Sequence, residues 1–112
     1  MKDFSNVLVR PDATIAEAIR IIDQGTVQIA LVVDSDRFLL GTLTDGDIRR
    51  GLLRGETLES EVELCMHREF ISVSANCPKS LALRLMREKA LIHMPVLDAE
   101  GRVVQLFLLE EI

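Results

Sequence analysis

A short stretch at residues 41–51, with the sequence GTLTDGDIRRG, concentrates hydroxyl, carboxylate and guanidinium groups directly after an apolar run. Thr44 and Asp47 have the spacing of a capping box, in which the threonine accepts from an amide of the first helical turn and the carboxylate accepts from the cap amide. The same groups can hold a ligand, because a helix N-terminus offers free amides to a phosphate and a carboxylate can accept two vicinal ribose hydroxyls. The pattern alone leaves both interpretations open.

The residues around this pair supply what a ligand site would need in addition. Gly46 permits a ligand to approach the backbone closely. Arg49, Arg50 and Arg54 place positive charge on a chain whose net charge is −5. A simply solvated helix face is the commoner arrangement for such arginines, and it stays open as the alternative. We take Arg50, together with the threonine and aspartate above, as a candidate ligand-binding residue.

The overall composition defines the broad class of protein. With 112 residues, 48% of them hydrophobic and 28% charged, the chain can form one compact domain or two very small ones and is globular rather than disordered. Its negative charge argues against a nucleic-acid partner. No apolar run approaches the roughly 20 residues of a membrane span. No signal peptide is visible either, so we expect a cytoplasmic location and no membrane partner.

The sequence contains no pattern that indicates catalysis or metal binding. Cys65, His67, Cys77 and His93 are the soft metal ligands, and their spacing matches no structural zinc site, so no metal is expected. The two cysteines are predicted to be reduced and unpaired. No Ser-His-Asp or Cys-His arrangement and no Walker or Rossmann glycine pattern is found. We therefore predict that the chain is not an enzyme by itself, and we assign no catalytic residue.

An internal repeat organises the chain. Shifting the sequence by 64 positions superposes residues 7–48 on residues 71–112 without a gap. Matched apolar periodicity along the whole unit makes a chance match much less plausible than the few identities alone would. The identical pairs are Val9/Val73, Ala18/Ala82, Arg20/Arg84, Val32/Val96, Asp34/Asp98 and Ile48/Ile112.

Each repeat predicts the element order β-α-β-β-α. In the first repeat the pattern predicts a strand at 7–9, a helix that starts in the capping box Thr14-x-x-Glu17 and ends with Gly25 as the C′ residue, strands at 30–34 and 38–44, and a helix at 45–55. In the second it predicts a strand near 71–73, a helix with Pro78 in its first turn, strands at 94–98 and 103–108, and a last helix that is cut short.

These elements predict an α/β fold with two pseudo-symmetric repeats packed as one module. A unit of under 50 residues cannot bury both faces of a three-stranded sheet alone, whereas two such units can share one core. The predicted boundaries are residues 1–55 for the first repeat, 56–69 for an inter-repeat segment with a short helix around 61–66, and 70–112 for the second repeat.

A tandem repeat in which each strand pair ends with G-h-h-T-x-x-D-h resembles the CBS-domain pair, also called the Bateman module. The segments GTLTDGDI, DSDRFLLG and LIHMPVLDAEGRVV carry the resemblance, which covers essentially the whole chain. TDGDIRRGLLRG is similar to CBS pairs attached to sugar-phosphate nucleotidyltransferases and to sugar-phosphate isomerases. VVQLFLLEEI is more similar to the CBS pairs of the nucleotidyltransferases, and the attached enzymes in that group are similar to mannose-1-phosphate guanylyltransferase. Because the chain ends within this pattern, we expect a covalently linked catalytic domain to follow.

The resemblance implies an adenosyl ligand, AMP, ADP or ATP, in a cleft between the repeats. By position, it places the ribose on Asp47 and the phosphate on Thr44. It also places four residues of the second repeat around the ligand, Ile71 and Ser72 beside the base and Ile92 and His93 at the ribose-phosphate end. The alternative for His93 is a partly buried histidine at a strand start.

The second copy of the motif departs from the pattern. Thr44 corresponds to Leu108, which has no hydroxyl, and Asp47 corresponds to Glu111, whose side chain is one methylene longer. We therefore predict that the first copy is competent and the second degenerate. The degenerate site would lie near Val7, Leu8, Gln28 and Ile29.

Two functional hypotheses follow. In the first, the chain is a regulatory module that senses an adenine nucleotide and shifts the state of an attached enzyme. In the second, it is a structural dimerisation module in which T-x-x-D is only a cap. Under either hypothesis we expect a homodimer formed through the helices that start near Ile15 and Thr44 and their counterparts in the second repeat.

Overall fold

The computed structural model describes residues 4–25 and 27–109. The chain divides into two compact units, Met1–Phe70 and Ile71–Ile112. The inter-repeat segment therefore belongs to the first unit.

The first unit has the predicted β-α-β-β-α order. Its sheet has three strands in chain order, the first parallel to the second and the second antiparallel to the third. Two short 3₁₀ turns, Ser5–Val7 and Val62–Leu64, flank these elements. The elements are β1 at Leu8–Val9, α1 at Ile15–Gln24, β2 at Ala30–Val33, β3 at Leu39–Leu43 and α2 at Asp45–Leu53.

The second unit repeats this topology in its own three-stranded sheet, again with the strands in chain order. Its first strand is again parallel to the middle strand, and the middle and last strands are again antiparallel. The predicted last helix and Glu111 lie outside the described residues. The elements are β4 at Val73–Ser74, α3 at Lys79–Glu88, β5 at His93–Leu97 and β6 at Val103–Leu108. The α/β class with two repeats is thus confirmed.

The turn between the last two strands shows how closely the repeats agree. Asp34 Oδ1 accepts from the amides of Asp36 and Phe38 at 2.9 and 3.0 Å. Asp98 Oδ1 accepts from the equivalent amides of Glu100 and Arg102 at 3.0 and 2.8 Å. The identity at Asp34 and Asp98 therefore has a structural cause, because this carboxylate organises the tight turn.

Helix α1 is amphipathic as its sequence predicts. Ile15, Ala18 and Ile22 are buried, and Thr14 Oγ1 accepts from the amide of Glu17 at 3.1 Å. Gly25 closes the helix as predicted, but it does so as the C-cap, one position before C′, and in an extended conformation with φ −79°. Its amide already donates to the carbonyl of Ile21 at 2.9 Å, so the helix end needs no left-handed turn.

Several predicted boundaries shift by a few residues. Val7 lies in a 3₁₀ turn before β1, and the strand predicted near 71–73 is found at Val73–Ser74. Pro78 immediately precedes α3 instead of lying inside it. The short helix predicted around 61–66 is only the 3₁₀ turn Val62–Leu64. It stays short because the next residues extend to pair with β3.

The inter-repeat segment is docked onto the first unit through its backbone. The amide of His67 donates to the carbonyl of Thr42 at 2.8 Å, and the amide of Thr42 donates back to the carbonyl of His67 at 3.0 Å. Farther along the segment, the amide of Val62 donates to the carbonyl of Ala13 at 2.8 Å. These bonds place the segment against both β3 and the start of α1.

Two glycines make room for this docking. A Cβ on Gly41 would lie 2.7 Å from Met66 Sδ, and a Cβ on Gly51 would lie 2.7 Å from Cys65 Cβ. Met66 and Cys65 are buried in the aliphatic core of the first unit. Since Gly51 lies on α2, the core holds this helix against the inter-repeat segment.

Candidate functional site

The first turn of α2 carries the motif that the sequence singles out. Strand β3 ends at Leu43, and Thr44 takes the extended N-cap conformation, with φ −119° and ψ 173°. Ile48 is buried and anchors the helix to the core one turn later. The strand and the helix therefore fix the position of the turn between them.

Asp47 is the most fully bonded side chain of this turn. Its Oδ2 accepts from the amide of Thr44 at 2.9 Å and from the hydroxyl of Thr44 at 3.1 Å. The side chain is only 12% exposed. Both halves of the predicted capping box are present. The hydrogen bond that the Asp47 carboxylate accepts from the Thr44 amide is the better formed half of the box. The interpretation of the motif as a helix cap is therefore confirmed.

Arg50 bonds the other oxygen of the same carboxylate. Its Nη2 lies 2.8 Å from Asp47 Oδ1, while the arginine side chain is 58% exposed. The guanidinium also stands over Gly46, where a Cβ would lie 3.3 Å from Nη1 and 3.4 Å from Nη2. The open face that the glycine leaves for a ligand is therefore covered by an arginine. The sequence analysis did not predict this ion pair, although a carboxylate and a guanidinium three residues apart on a helix commonly form one.

Four predicted site residues lie in the second unit. Strands β4 and β5 are parallel neighbours, with Val73 opposite Val96. The residues that precede β4 and those that begin β5 thus meet at the same end of one sheet. At this end Ile71 and Ile92 are exposed, and Ser72 and His93 are partly buried.

His93 is a partly buried histidine at the start of a strand, as its alternative interpretation predicts. It is the first residue of β5, partly buried and paired in register with Leu108 of β6. Leu108 is itself buried, which fits its apolar replacement of the motif threonine. Its partner in the degenerate motif, Glu111, lies outside the described residues.

The seven candidate residues thus form two groups. The first unit brings together Thr44, Asp47 and Arg50 by direct bonds. The second unit brings the other four to one end of its sheet. The prediction that one ligand contacts both groups stays a prediction.

The two cysteines are free, as predicted. Burial raises the pKa of the Cys65 thiol above its ordinary value. The charge of Asp47 raises this pKa further, and the nearby charge of Arg54 opposes it. Cys65 is therefore a buried, protonated core residue at neutral pH, packed behind the helix that carries the motif.

An open cavity of about 410 Å³ lies on the first unit between the end of β1 and α1. It overlaps the region predicted for the degenerate site at Leu8. Among its lining residues, Arg10 pairs with Asp12 at 3.2 Å, and both side chains are well exposed. The lining residues are Leu8, Val9, Arg10, Asp12, Ala13, Glu17 and Ile21.

Two further kinds of feature are absent from the described residues. Residues 4–25 and 27–109 contain no cluster of three or more His, Cys, Asp or Glu side chains that could hold a metal ion. In the same part of the chain, every helix is too short or too polar to cross a membrane.

Comparison with known proteins gives a family. The model described as "CBS domain" matches the chain twice, at residues 2–54 and 60–112. A 17.7 kDa protein of Acidianus ambivalens is 26% identical over 96 residues, which are 86% of this chain and 58% of that protein. The inosine-5'-monophosphate dehydrogenase of Methanocaldococcus jannaschii is 26% identical over 106 residues, 95% of this chain and 21% of the enzyme. The chain thus spans only part of the length of these relatives.

Solved structures share the fold. The CBS domain pair of protein MJ0100, in complex with 5'-methylthioadenosine and S-adenosyl-L-methionine, has a TM-score of 0.80 and 23% identity, over 97% of this chain and 89% of that one. CBSX2 in complex with AMP has a TM-score of 0.78 and 22% identity, over 90% and 79%. The cytosolic domain of the Mg²⁺ channel MgtE in complex with ATP has a TM-score of 0.79 and 24% identity, over 94% and 42%.

Proposed function

The chain belongs to the CBS domain family as a tandem pair, and from this we propose that it is a regulatory module that binds an adenine nucleotide, AMP, ADP or ATP. The observation that carries the proposal is the state of Asp47. Its carboxylate is held rigidly by Thr44 through one oxygen and presents the other to an exposed arginine. Two adjacent ribose hydroxyls can donate to such an oriented carboxylate.

The neighbours support the class of ligand and leave the exact one to experiment. Proteins of the same fold are bound to AMP, to ATP, and to 5'-methylthioadenosine with S-adenosyl-L-methionine. All of these ligands carry an adenine base on a ribose ring with free 2' and 3' hydroxyls. We therefore propose adenosine recognition as the common feature, with a phosphate placed at the first turn of α2, where backbone amides and the helix dipole favour an anion.

The second unit supplies the remaining proposed contacts, on the resemblance alone. Ile71 and Ile92 are 37% and 58% exposed, which leaves apolar surface that a ligand can cover. Ser72 and His93 lie at the same end of the sheet and offer polar groups. We propose Ile71 and Ser72 as neighbours of the base and Ile92 and His93 as contacts of the ribose-phosphate end.

We propose further that the regulated enzyme is a covalently linked sugar-phosphate nucleotidyltransferase. Support comes from the resemblance of TDGDIRRGLLRG and VVQLFLLEEI to CBS pairs of such enzymes. One relative is instead an inosine-5'-monophosphate dehydrogenase. The coding sequence beyond Ile112 tests this part, and a catalytic domain of another class there would overturn it.

A structural dimerisation module is the second candidate function. The observation in its favour is the capping box, since Asp47 already has donors for both of its oxygens without a ligand. In that case the motif only stabilises the start of α2, and no nucleotide binds.

Isothermal titration separates the two candidates. The protein is titrated with AMP, ADP, ATP and S-adenosyl-L-methionine, and we expect saturable binding of at least one adenine nucleotide with a defined stoichiometry. If all four ligands fail to bind at millimolar concentration, the chain is a structural module and the regulatory proposal is wrong.

A further inference from the structure

We infer that Arg50 is a latch on Asp47 that makes the site prefer phosphorylated over unphosphorylated nucleosides. The inference rests on the proposed function, because it concerns the same adenosine site. The latch consists of the ion pair between Arg50 and Asp47 together with the cover that the guanidinium forms over Gly46.

The first observation is the division of the carboxylate between two partners. Oδ2 of Asp47 is bonded to the amide and the hydroxyl of Thr44, both belonging to the cap. Oδ1 is bonded at 2.8 Å by Arg50, whose side chain is more than half exposed. A hydroxyl that approaches from solvent must therefore compete with Arg50, and it can do so without disturbing the cap.

The second observation is the position of the guanidinium over the glycine. Nη1 and Nη2 of Arg50 would lie 3.3 and 3.4 Å from a Cβ on Gly46, so the guanidinium fills the space next to the backbone there. A ligand that uses this approach has to move the arginine aside. The long, flexible stem of an arginine allows that movement while α2 stays in place.

The consequence depends on whether the ligand carries a phosphate. An unphosphorylated nucleoside breaks the ion pair and offers the guanidinium no new acceptor. A phosphate bound at the first turn of α2 accepts from the displaced guanidinium, which suits phosphate geometry especially well. Arg50 therefore opposes adenosine and favours AMP through one and the same side chain.

The expected magnitudes follow from the exposure of the pair. An exposed ion pair is weak, so the latch should reduce adenosine affinity by only about two- to fivefold. A charge-assisted bond to phosphate is stronger, and it should raise AMP affinity by about tenfold. The ratio of AMP affinity to adenosine affinity is therefore the quantity that responds most strongly to the loss of Arg50.

The experiment is a titration of wild type, Arg50→Gln and Arg49→Gln with adenosine and with AMP. Arg50→Gln should bind adenosine about two- to fivefold more tightly and AMP about tenfold more weakly. Arg49 is the matched control, because it is the neighbouring exposed arginine of the same helix and makes no ion pair among the described residues. Its substitution should leave the affinity ratio within about twofold. A thermal melt of each variant checks the fold.

Three outcomes overturn the inference. If Arg50→Gln weakens adenosine and AMP equally, or changes neither, there is no latch, although the proposed function stands. If Arg49→Gln shifts the ratio as much as Arg50→Gln, the effect is general positive charge and not the ion pair with Asp47. If wild type and both variants bind neither adenosine nor AMP, the inference is wrong, and the proposed function fails with it only when ADP, ATP and S-adenosyl-L-methionine do not bind either.

Discussion

Gly51 of α2 faces Cys65 of the inter-repeat segment so closely that a Cβ on the glycine would lie 2.7 Å from the cysteine Cβ. Both residues are buried. The contact holds the helix of the T-x-x-D motif against the segment that leads into the second repeat.

Gly51→Ala should therefore destabilise the protein. Alanine favours a helix over glycine by up to about 1 kcal/mol, but overpacking of a filled core costs about 1–3 kcal/mol. We expect a net loss in the free energy of unfolding, measured by urea denaturation. Gly46→Ala is the matched control on the same helix, because its neighbour is a flexible guanidinium that can give way. If the two variants have the same free energy of unfolding, the close contact between Gly51 and Cys65 does not affect stability.

Asp47→Asn should remain folded and bind adenine nucleotide poorly. Asparagine retains much of the capping ability but loses the charge that strengthens two ribose hydrogen bonds, each worth about 1.5–3 kcal/mol. Since about 1.4 kcal/mol is a factor of ten, the affinity should fall at least tenfold in a calorimetric titration. Asp47→Ala should show the same loss and, in addition, about 1 kcal/mol lower stability from the weakened cap.

Two variants control for this result. Asp45→Asn removes one negative charge from the same helical turn at an exposed position, and it should bind nearly as wild type does. Glu111→Ala, in the degenerate motif, should leave binding nearly unchanged. If Asp47→Asn binds as wild type does, the motif is only a cap. If Glu111→Ala abolishes binding while Asp47→Ala does not, the ligand belongs to the other half of the chain.

Asp98 should contribute a pH dependence to stability. Hydrogen bonds from backbone amides, above all that of Arg102, hold the pKa of Asp98 below its ordinary value of 3.8, and the charge of Arg102 adds to this. A depressed folded-state pKa means that the unfolded chain takes up the proton first as the pH falls. The stabilisation is therefore complete above the unfolded-state pKa and is lost as the pH falls below about 4.

Urea denaturation at several pH values between neutrality and pH 3 measures this effect. Asp98→Asn should be less stable than wild type at neutral pH, and the difference should shrink towards pH 3. Asp23→Asn, at an exposed position on α1, serves as the charge control and should leave the pH profile almost unchanged. An equal change in both variants would contradict a specific role for the Asp98 turn.

The protein should be a homodimer through its helices. Leu53 at the end of α2 is 80% exposed and the adjacent Leu52 is 39% exposed, so the end of this helix offers apolar surface to a second copy. Light scattering at tens of micromolar should give twice the mass of 12.5 kDa. Leu53→Glu should lower the mass to that of a monomer, whereas Val104→Glu, on β6, should not. A monomeric wild type would show this prediction wrong.

Much of the fold could be predicted from the sequence because it depends on short-range patterns. The shift of 64 residues aligns two sets of apolar periods, and the described residues form the predicted β-α-β-β-α elements in the first repeat and the predicted β-α-β-β elements in the second. The capping box at Thr44 and Asp47 was predicted from its spacing and is present. A helix cap and an amphipathic face are determined by neighbours within four residues, so one stretch of sequence contains all the information needed.

The tertiary structure alone decided the contacts that join distant residues. The helix predicted around 61–66 became a 3₁₀ turn, because His67 extends to pair with Thr42, 25 positions earlier in the chain. No local pattern encodes such a pairing. The pairing requires Met66 to pack against Gly41 and Cys65 to pack against Gly51. These contacts exist only once the core has packed.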